Sequence, residues 1–403
     1  MNFSQRKNGV WFLLCLPVLI LSMAATAQAQ VPPDIEAGLR KIGQIVDPAC
    51  TAKLYRPLMP KNDYNTYWPV GASAPANRMP LYPGVTIARD VSFGPHPKDL
   101  VDIFSSDKGG GNRTVLIYVP GGGGNKIEQQ DREANAFYDN IGRWAVKSDM
   151  VAVTMQRHPG ENWDDGGKDI SKMIQWLQAN IAKYKGNPDR MFIWAHSAGN
   201  GPLGVYIGHP ELHGPKGPGV KGAVFMSGNP VPGVGGPELN AGRGGRGGAP
   251  AGGAANPLAG AGNSCGVVNG AGAGAIEGAI SGPSSVTAGG ARGGRGAGGG
   301  AAGGGRGAQS LDAATQAARS NLPGFKSTEV AIVLARAELD PGVNGGMLPS
   351  DIALQDELCK ERKYHCPMML YLNGESHMSE VFSIDTPDKT VSGPILAWMK
   401  KVK

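Results

Sequence analysis

A single serine constrains this chain more than any other feature. Ser197 sits in Ala195-His196-Ser197-Ala198-Gly199, directly after the apolar run Met191-Phe192-Ile193-Trp194 and directly before Asn200-Gly201-Pro202-Leu203-Gly204-Val205-Tyr206-Ile207. The four apolar residues read as a buried strand, and the segment that follows can open a helix. A serine between small residues at a strand-to-helix turn is the nucleophile-elbow pattern. The turn is so tight that only small neighbours fit, and it lifts the hydroxyl clear of the backbone. Such a serine needs a base and an acid, and the chain carries both further on.

The surrounding periodicity predicts an α/β architecture. Strands are expected over 84–93, 99–104 and 113–119, the third apolar over most of its length and therefore central. A helix over 128–147 puts Phe137, Ile141 and Trp144 on one face, and 150–155 reads as a strand. The clearest helix runs over 168–183, with Ile170, Met173, Ile174, Leu177 and Ile181 at 3.6-residue spacing. A turn at Asn187-Pro188-Asp189 leads into the strand before Ser197, and 220–226 is the next strand. Further on come a strand over 329–335, a helix over 351–362 capped by Ser350, a strand over 367–372 and a closing helix over 390–401. Strands separated by helices imply a mostly parallel central sheet with helices on both faces. Near the start, Pro33-Asp34 opens a short amphipathic helix through Ile35, Leu39, Ile42 and Ile45; a surface loop is expected from there to Pro80.

Composition divides the rest. Residues 1–29 read as a secretory signal: Arg6 and Lys7 at the start, an apolar run from Trp11 to Met23 too short to span a membrane comfortably, and the small-x-small site Ala27-Gln28-Ala29. The expected location is therefore periplasmic or secreted, with residues 31–403 forming the catalytic domain and no other apolar run of membrane-spanning length. Residues 231–309 interrupt that domain with mostly Gly and Ala, which cannot bury enough apolar surface to offset ordering. The Arg-Gly tracts at 244–246 and 292–295 lack interleaved aromatics and read as a flexible surface loop rather than a nucleic-acid tail. The net charge of +6 includes Arg6 and Lys7, and the remaining excess of about +4 does not argue for nucleic acid. Export permits disulfides among Cys50, Cys265, Cys359 and Cys366. Three pairings are open; Cys359 with Cys366, at the end of one helix and the start of the next strand, is the first choice.

A serine hydroxyl is a poor nucleophile until an imidazole takes its proton and an acid holds that imidazole. His377, in Asn373-Gly374-Glu375-Ser376-His377-Met378, lies just past the last strand. Asp340, in Glu338-Leu339-Asp340-Pro341, lies just past the strand before, with Glu338 as the alternative acid. Residues beyond the C-terminal ends of parallel strands share one edge, so Ser197, Asp340 and His377 are expected to converge there. The other histidines are worse placed. His96 and His158 precede the serine, His365 precedes its strand, and His196 should point away. Developing negative charge needs backbone donors; Pro120-Gly121-Gly122-Gly123-Gly124 follows the central strand, and the N–H groups of Gly122, Gly123 and Ala198 are the candidates. His209-Pro210-Glu211-Leu212-His213 has a metal-like spacing, but Pro210 and the position of Glu211 spoil it, so it reads as a loop and no metal site is expected.

These features resemble the α/β-hydrolase superfamily over residues 84–229 and 329–400. They are most similar to its carboxylesterase and hormone-sensitive-lipase-like members. The block 174–181, then Gly186-Asn187-Pro188-Asp189-Arg190, then His196-Ser197-Ala198-Gly199 carries the likeness, as does the chain order Ser, Asp, His. The resemblance implies hydrolysis of a small-molecule ester through a covalent acyl-enzyme, with no metal or organic cofactor. A serine peptidase or amidase of the same fold, and a catalytically inactive binding member, are the alternatives. The chain departs from the pattern twice: Ala195 replaces the first elbow glycine, and Pro120 stands where these relatives often carry the histidine of an HGGG motif.

Overall fold

Runs of β-branched and aliphatic residues set the sheet, and amphipathic helices cover it. A computed structural model describes residues 30–46, 48–58, 82–126, 138–158, 160–234, 312–362 and 365–403. The strands are β1 (Val85–Ser92), β2 (Leu100–Ser106), β3 (Arg113–Val119), β4 (Val151–Met155), β5 (Gly186–His196), β6 (Gly222–Met226), β7 (Ala331–Leu339) and β8 (Met368–Ser376). They lie in one sheet in the order β1-β2-β4-β3-β5-β6-β7-β8. β1–β2 and β2–β4 are antiparallel, and every pairing from β4–β3 to β7–β8 is parallel. The expected mostly parallel sheet is therefore present, with an antiparallel edge.

Helices lie over both faces: α1 (Pro33–Ile42), α2 (Pro48–Tyr55), α3 (Asp139–Lys147), α4 (Asp165–Asn180), α5 (Asn200–Gly208), α6 (Ala313–Ala318), α7 (Leu322–Ser327), α8 (Pro349–Glu361), α9 (Ser379–Phe382) and α10 (Ser392–Lys401). The two-residue strand period splits the core into two layers. On one face Leu116, Tyr118, Phe192 and Trp194 pack with Leu39, Ile141, Trp144 and Ile395. On the other, Val115, Ile117, Met191 and Ile193 pack with Ile170, Ile174, Leu203, Phe325 and Leu358. Central strands buried on both sides favour apolar residues on both faces, which is why β3 and β4 are apolar over most of their length.

Three local expectations change. The loop expected up to Pro80 contains α2 and a short 3-10 turn, Arg56–Leu58. Tyr55 explains why: it is fully buried, packs on Phe382 with ring centroids 6.4 Å apart, and donates to Asp388 Oδ2 at 3.1 Å. Asn187-Pro188-Asp189 lies inside β5, where the β3–β5 register jumps from Arg113–Gly186 to Val115–Met191. Pro188 has no N–H to give the ladder, so the strand bends around it instead of ending. α6 and α7 precede β7 where no helix was expected; α6 is capped by Asp312, whose side chain accepts the Thr315 N–H. Cys359 and Cys366 form a disulfide between α8 and β8. The signal at 1–29, most of the stretch up to Pro80, the first part of the 128–147 helix and insertion residues 235–309 lie outside the described residues. Among those described, no helix is long and apolar enough to cross a membrane.

Candidate active site

β5 delivers the serine. It ends at His196; Ser197–Gly199 form a 3-10 turn, and α5 starts at Asn200. Ser197 has φ +51°, a left-handed conformation that a non-glycine residue adopts only when its surroundings impose it. Two glycines allow this packing. A Cβ on Gly199 would stand 2.5 Å from the Val119 carbonyl oxygen, and one on Gly121 would stand 2.8 Å from Ser197 Cβ. Asn200 Nδ2 donates to the carbonyls of Ser197 and Met226, tying the turn to β6. Ala195 is a fully buried strand residue paired with Val119 and Phe225, so its methyl fits without opening the elbow.

The ends of β7 and β8 deliver the other two side chains. His377 Nε2 lies 2.9 Å from Ser197 Oγ, and His377 Nδ1 lies 2.7 Å from Asp340 Oδ1. Asp340 is buried, and its second oxygen accepts from Arg336 Nη1 at 2.6 Å. Burial alone would push this carboxyl up; His377 and Arg336 outweigh burial and hold it well below the ordinary carboxylate range. Glu338, the alternative acid, lies elsewhere: it pairs with Arg40 at 3.0 Å and accepts the Gly374 N–H at 2.7 Å.

His196 points away from the Ser197 hydroxyl but not away from the site. Its Nε2 lies 2.9 Å from the His377 carbonyl oxygen and 3.0 Å from Glu380 Oε1. Glu380 also accepts from Ser227 Oγ at 3.0 Å, and burial pushes its carboxyl well above the usual range. Sequence reasoning missed Arg336 and Glu380. A lone cation inside the apolar strand Ala331–Leu339 was the available signal for the first; nothing local marked the second.

The Pro120–Gly124 loop faces the elbow. Gly122 and Gly124 have φ +49° and +82°, and Gly124 N–H closes a turn onto the Gly121 carbonyl at 2.9 Å. Among the described residues, the N–H groups of Gly122 and Gly123 donate to no backbone acceptor. Ala198 is exposed beside Ser197.

His209 and His213 do not share a site: His209 Nδ1 meets Glu211 at 2.8 Å, and His213 Nε2 meets the Tyr206 carbonyl at 2.8 Å. His96, Asp99 and His158 do bring potential ligand atoms together. Lys172 Nζ already stands 3.0 Å from Asp99 and 3.1 Å from Asp169, however, so a metal cation would compete with an ammonium.

Residues 101–209 match the BD-FAE family. The acylcarnitine hydrolase of Mus musculus is 32% identical over 132 residues, covering 30% of this chain and 21% of that protein. A probable carboxylic ester hydrolase, LipM, of Mycobacterium tuberculosis is 31% identical over 94 residues, covering 22% of this chain and 20% of that protein. The match thus spans well under two thirds of either relative. Among solved structures, a truncated carbohydrate esterase from gut microbiota is 13% identical, with TM-score 0.46 over 78% of this chain and 95% of that one. Esterase 2 of Thermogutta terrifontis, in its tabun-treated form, is 12% identical, with TM-score 0.44 over 80% and 94%.

Proposed function

We propose that this chain, a relative of the BD-FAE and carboxylesterase branches of the α/β-hydrolase superfamily, hydrolyses carboxylic esters through a serine acyl-enzyme. The observation that carries the reading is the pair of contacts made by one imidazole, 2.9 Å to Ser197 Oγ and 2.7 Å to Asp340 Oδ1. His377 Nε2 takes the Ser197 proton as Oγ bonds to the ester carbonyl carbon. The carbonyl oxygen gains the negative charge and is held by the N–H groups of Gly122, Gly123 and Ala198. When the tetrahedral adduct collapses, the bond to the alcohol oxygen breaks and that oxygen takes the proton from His377. Water then repeats the sequence. It gives one proton to His377 Nε2 and bonds to the acyl carbon, and Ser197 leaves with the proton restored. Asp340 accepts the Nδ1–H of His377 throughout, which fixes the tautomer and stabilises the imidazolium. Each donor to the oxyanion is worth about 10²- to 10³-fold in rate.

The substrate class in this reading is a small-molecule ester, and residues 1–29 direct the chain out of the cytoplasm. Ser197→Ala is the test. The variant should lose at least about 10⁴-fold in hydrolysis of p-nitrophenyl acetate and lose labelling by a fluorophosphonate. Turnover at the wild-type rate would overturn the reading.

A further inference from the structure

The glycine loop lacks the histidine that its relatives often carry, so something else must hold it. Arg157, two residues beyond β4, reaches it with two nitrogens of its guanidinium fork. Nε donates to the Pro120 carbonyl at 2.6 Å; Nη2 donates to the Gly121 carbonyl at 3.1 Å and the Gly122 carbonyl at 3.0 Å. The backbone N–H of Arg157 donates to the Gly124 carbonyl at 2.7 Å. One residue therefore engages four of the loop's carbonyls. The fit is close from the other side as well, since a Cβ on Gly124 would stand 2.7 Å from Arg157 Cβ and 3.2 Å from its Cζ.

Peptide geometry turns this clamp into an aim. No peptide bond among the described residues is cis, and in a planar trans peptide the C=O and N–H point in opposite directions. The Gly121 carbonyl belongs to the same peptide as the Gly122 N–H, and the Gly122 carbonyl to the same peptide as the Gly123 N–H. Holding the two oxygens on the Arg157 side turns both N–H groups the other way. The same bonds polarise those peptides and strengthen them as donors. Among the described residues no carboxylate pairs with Arg157, and its Nε and Nη2 donate to the loop.

We propose that Arg157 is the positioning residue of the oxyanion site, aiming the Gly122 and Gly123 N–H groups by gripping the far ends of their own peptides. This rests on the ester-hydrolase reading above. It also accounts for Pro120: a residue whose carbonyl is gripped and whose N–H is not needed can be proline. Only a fork can serve, because three carbonyls are reached from two separate nitrogens and an ammonium is a single point.

The test compares full-length wild type, Arg157→Lys and Arg157→Ala. Wild type is first shown to hydrolyse p-nitrophenyl acetate and to take a fluorophosphonate on Ser197; failure there sinks the ester-hydrolase reading, not this one. Arg157→Lys should keep its thermal transition and lose about 10²-fold in kcat, with KM changed less than about threefold. Inhibition by a trifluoromethyl ketone, which puts an oxyanion in the same place, should weaken by the same factor. Guanidinium chloride should restore part of the rate of Arg157→Ala, and ammonium chloride at equal ionic strength should not. Wild-type kcat in Arg157→Lys, a loss confined to KM, unchanged ketone affinity, or loss of the fold in both variants would each overturn the assignment.

Discussion

Arg336 and Asp340 form a buried pair one strand-end apart: Arg336 Nη1 stands 2.6 Å from Asp340 Oδ2, while Asp340 Oδ1 meets His377 at 2.7 Å. Every nitrogen of the guanidinium is engaged. Its Nε and Nη2 each lie 2.9 Å from the Asp351 carboxylate on α8, and Nη2 also donates to the Gly228 carbonyl. Arg336 thus fixes the plane of the carboxylate that orients His377, and ties β7 to α8.

Removing that cation strands two buried carboxylates. Arg336→Met is expected to cost about 3–5 kcal/mol in urea unfolding at neutral pH. The pH dependence follows from Asp340, whose folded carboxyl is held below its ordinary value. Such a group contributes stability above the unfolded pKa and loses it as pH falls through the folded one. With Arg336 gone the folded value rises, so the variant's deficit should narrow toward low pH. A deficit constant from pH 7 to pH 3 would show that the pair does not act through Asp340.

Glu338 and Asp340 are two residues apart and give opposite expectations. Asp340→Asn should lower kcat about 10⁴-fold, the scale of losing the acid of a Ser-His-Asp triad. Glu338→Gln breaks a partly exposed pair with Arg40 and should leave kcat within about twofold, as such pairs are worth little. Rate measurements on folded protein decide; a large loss in Glu338→Gln would reverse the assignment.

The contact among Ser197, Asp340 and His377 was legible because each follows a strand whose end is marked by a change of period and by turn residues. A parallel sheet then does the gathering, with no need to know any side-chain partner. Arg336, Glu380 and Arg157 were not legible as working residues, because their surroundings come from chain far away in sequence: α8, β5 and the loop after β3. α2 was missed for a related reason. Its sequence has little apolar periodicity, and what fixes it is Tyr55 reaching Asp388 across the fold.

The disulfide lies at the opposite end of β8 from His377. Cys359 closes α8 and Cys366 precedes β8, with seven residues of separation. A loop of that size is worth about 2–3 kcal/mol through the unfolded chain. Cys359→Ser with Cys366→Ser should therefore lower the unfolding free energy from urea titration by about that amount, shift the midpoint down and leave kcat unchanged. Equal midpoints for the double variant and wild type would show that the bridge adds nothing.

Glu375 provides the sharpest test against alkaline pH. It precedes His377 by two residues, is fully buried, accepts from Ser379 Oγ, and lies 3.4 Å from Tyr55 Oη. Burial first, then the neighbouring Asp388, push its carboxyl well above 4.5. Tyr55 is raised too, by burial and by the same two carboxylates, and stays neutral. The folded chain therefore holds a proton that the unfolded chain has released. Stability from this group is complete below the unfolded pKa and declines as pH rises toward and through the folded one. Glu375→Gln keeps the shape and an acceptor oxygen but has no proton to lose. It should match wild type in urea unfolding near pH 5 and exceed it near pH 9, with a flatter slope between. Glu380, raised in the same direction, stays in the variant and leaves part of the slope. Parallel curves for the two proteins from pH 5 to pH 9 would mean that Glu375 is ionised in the folded chain as in the unfolded one.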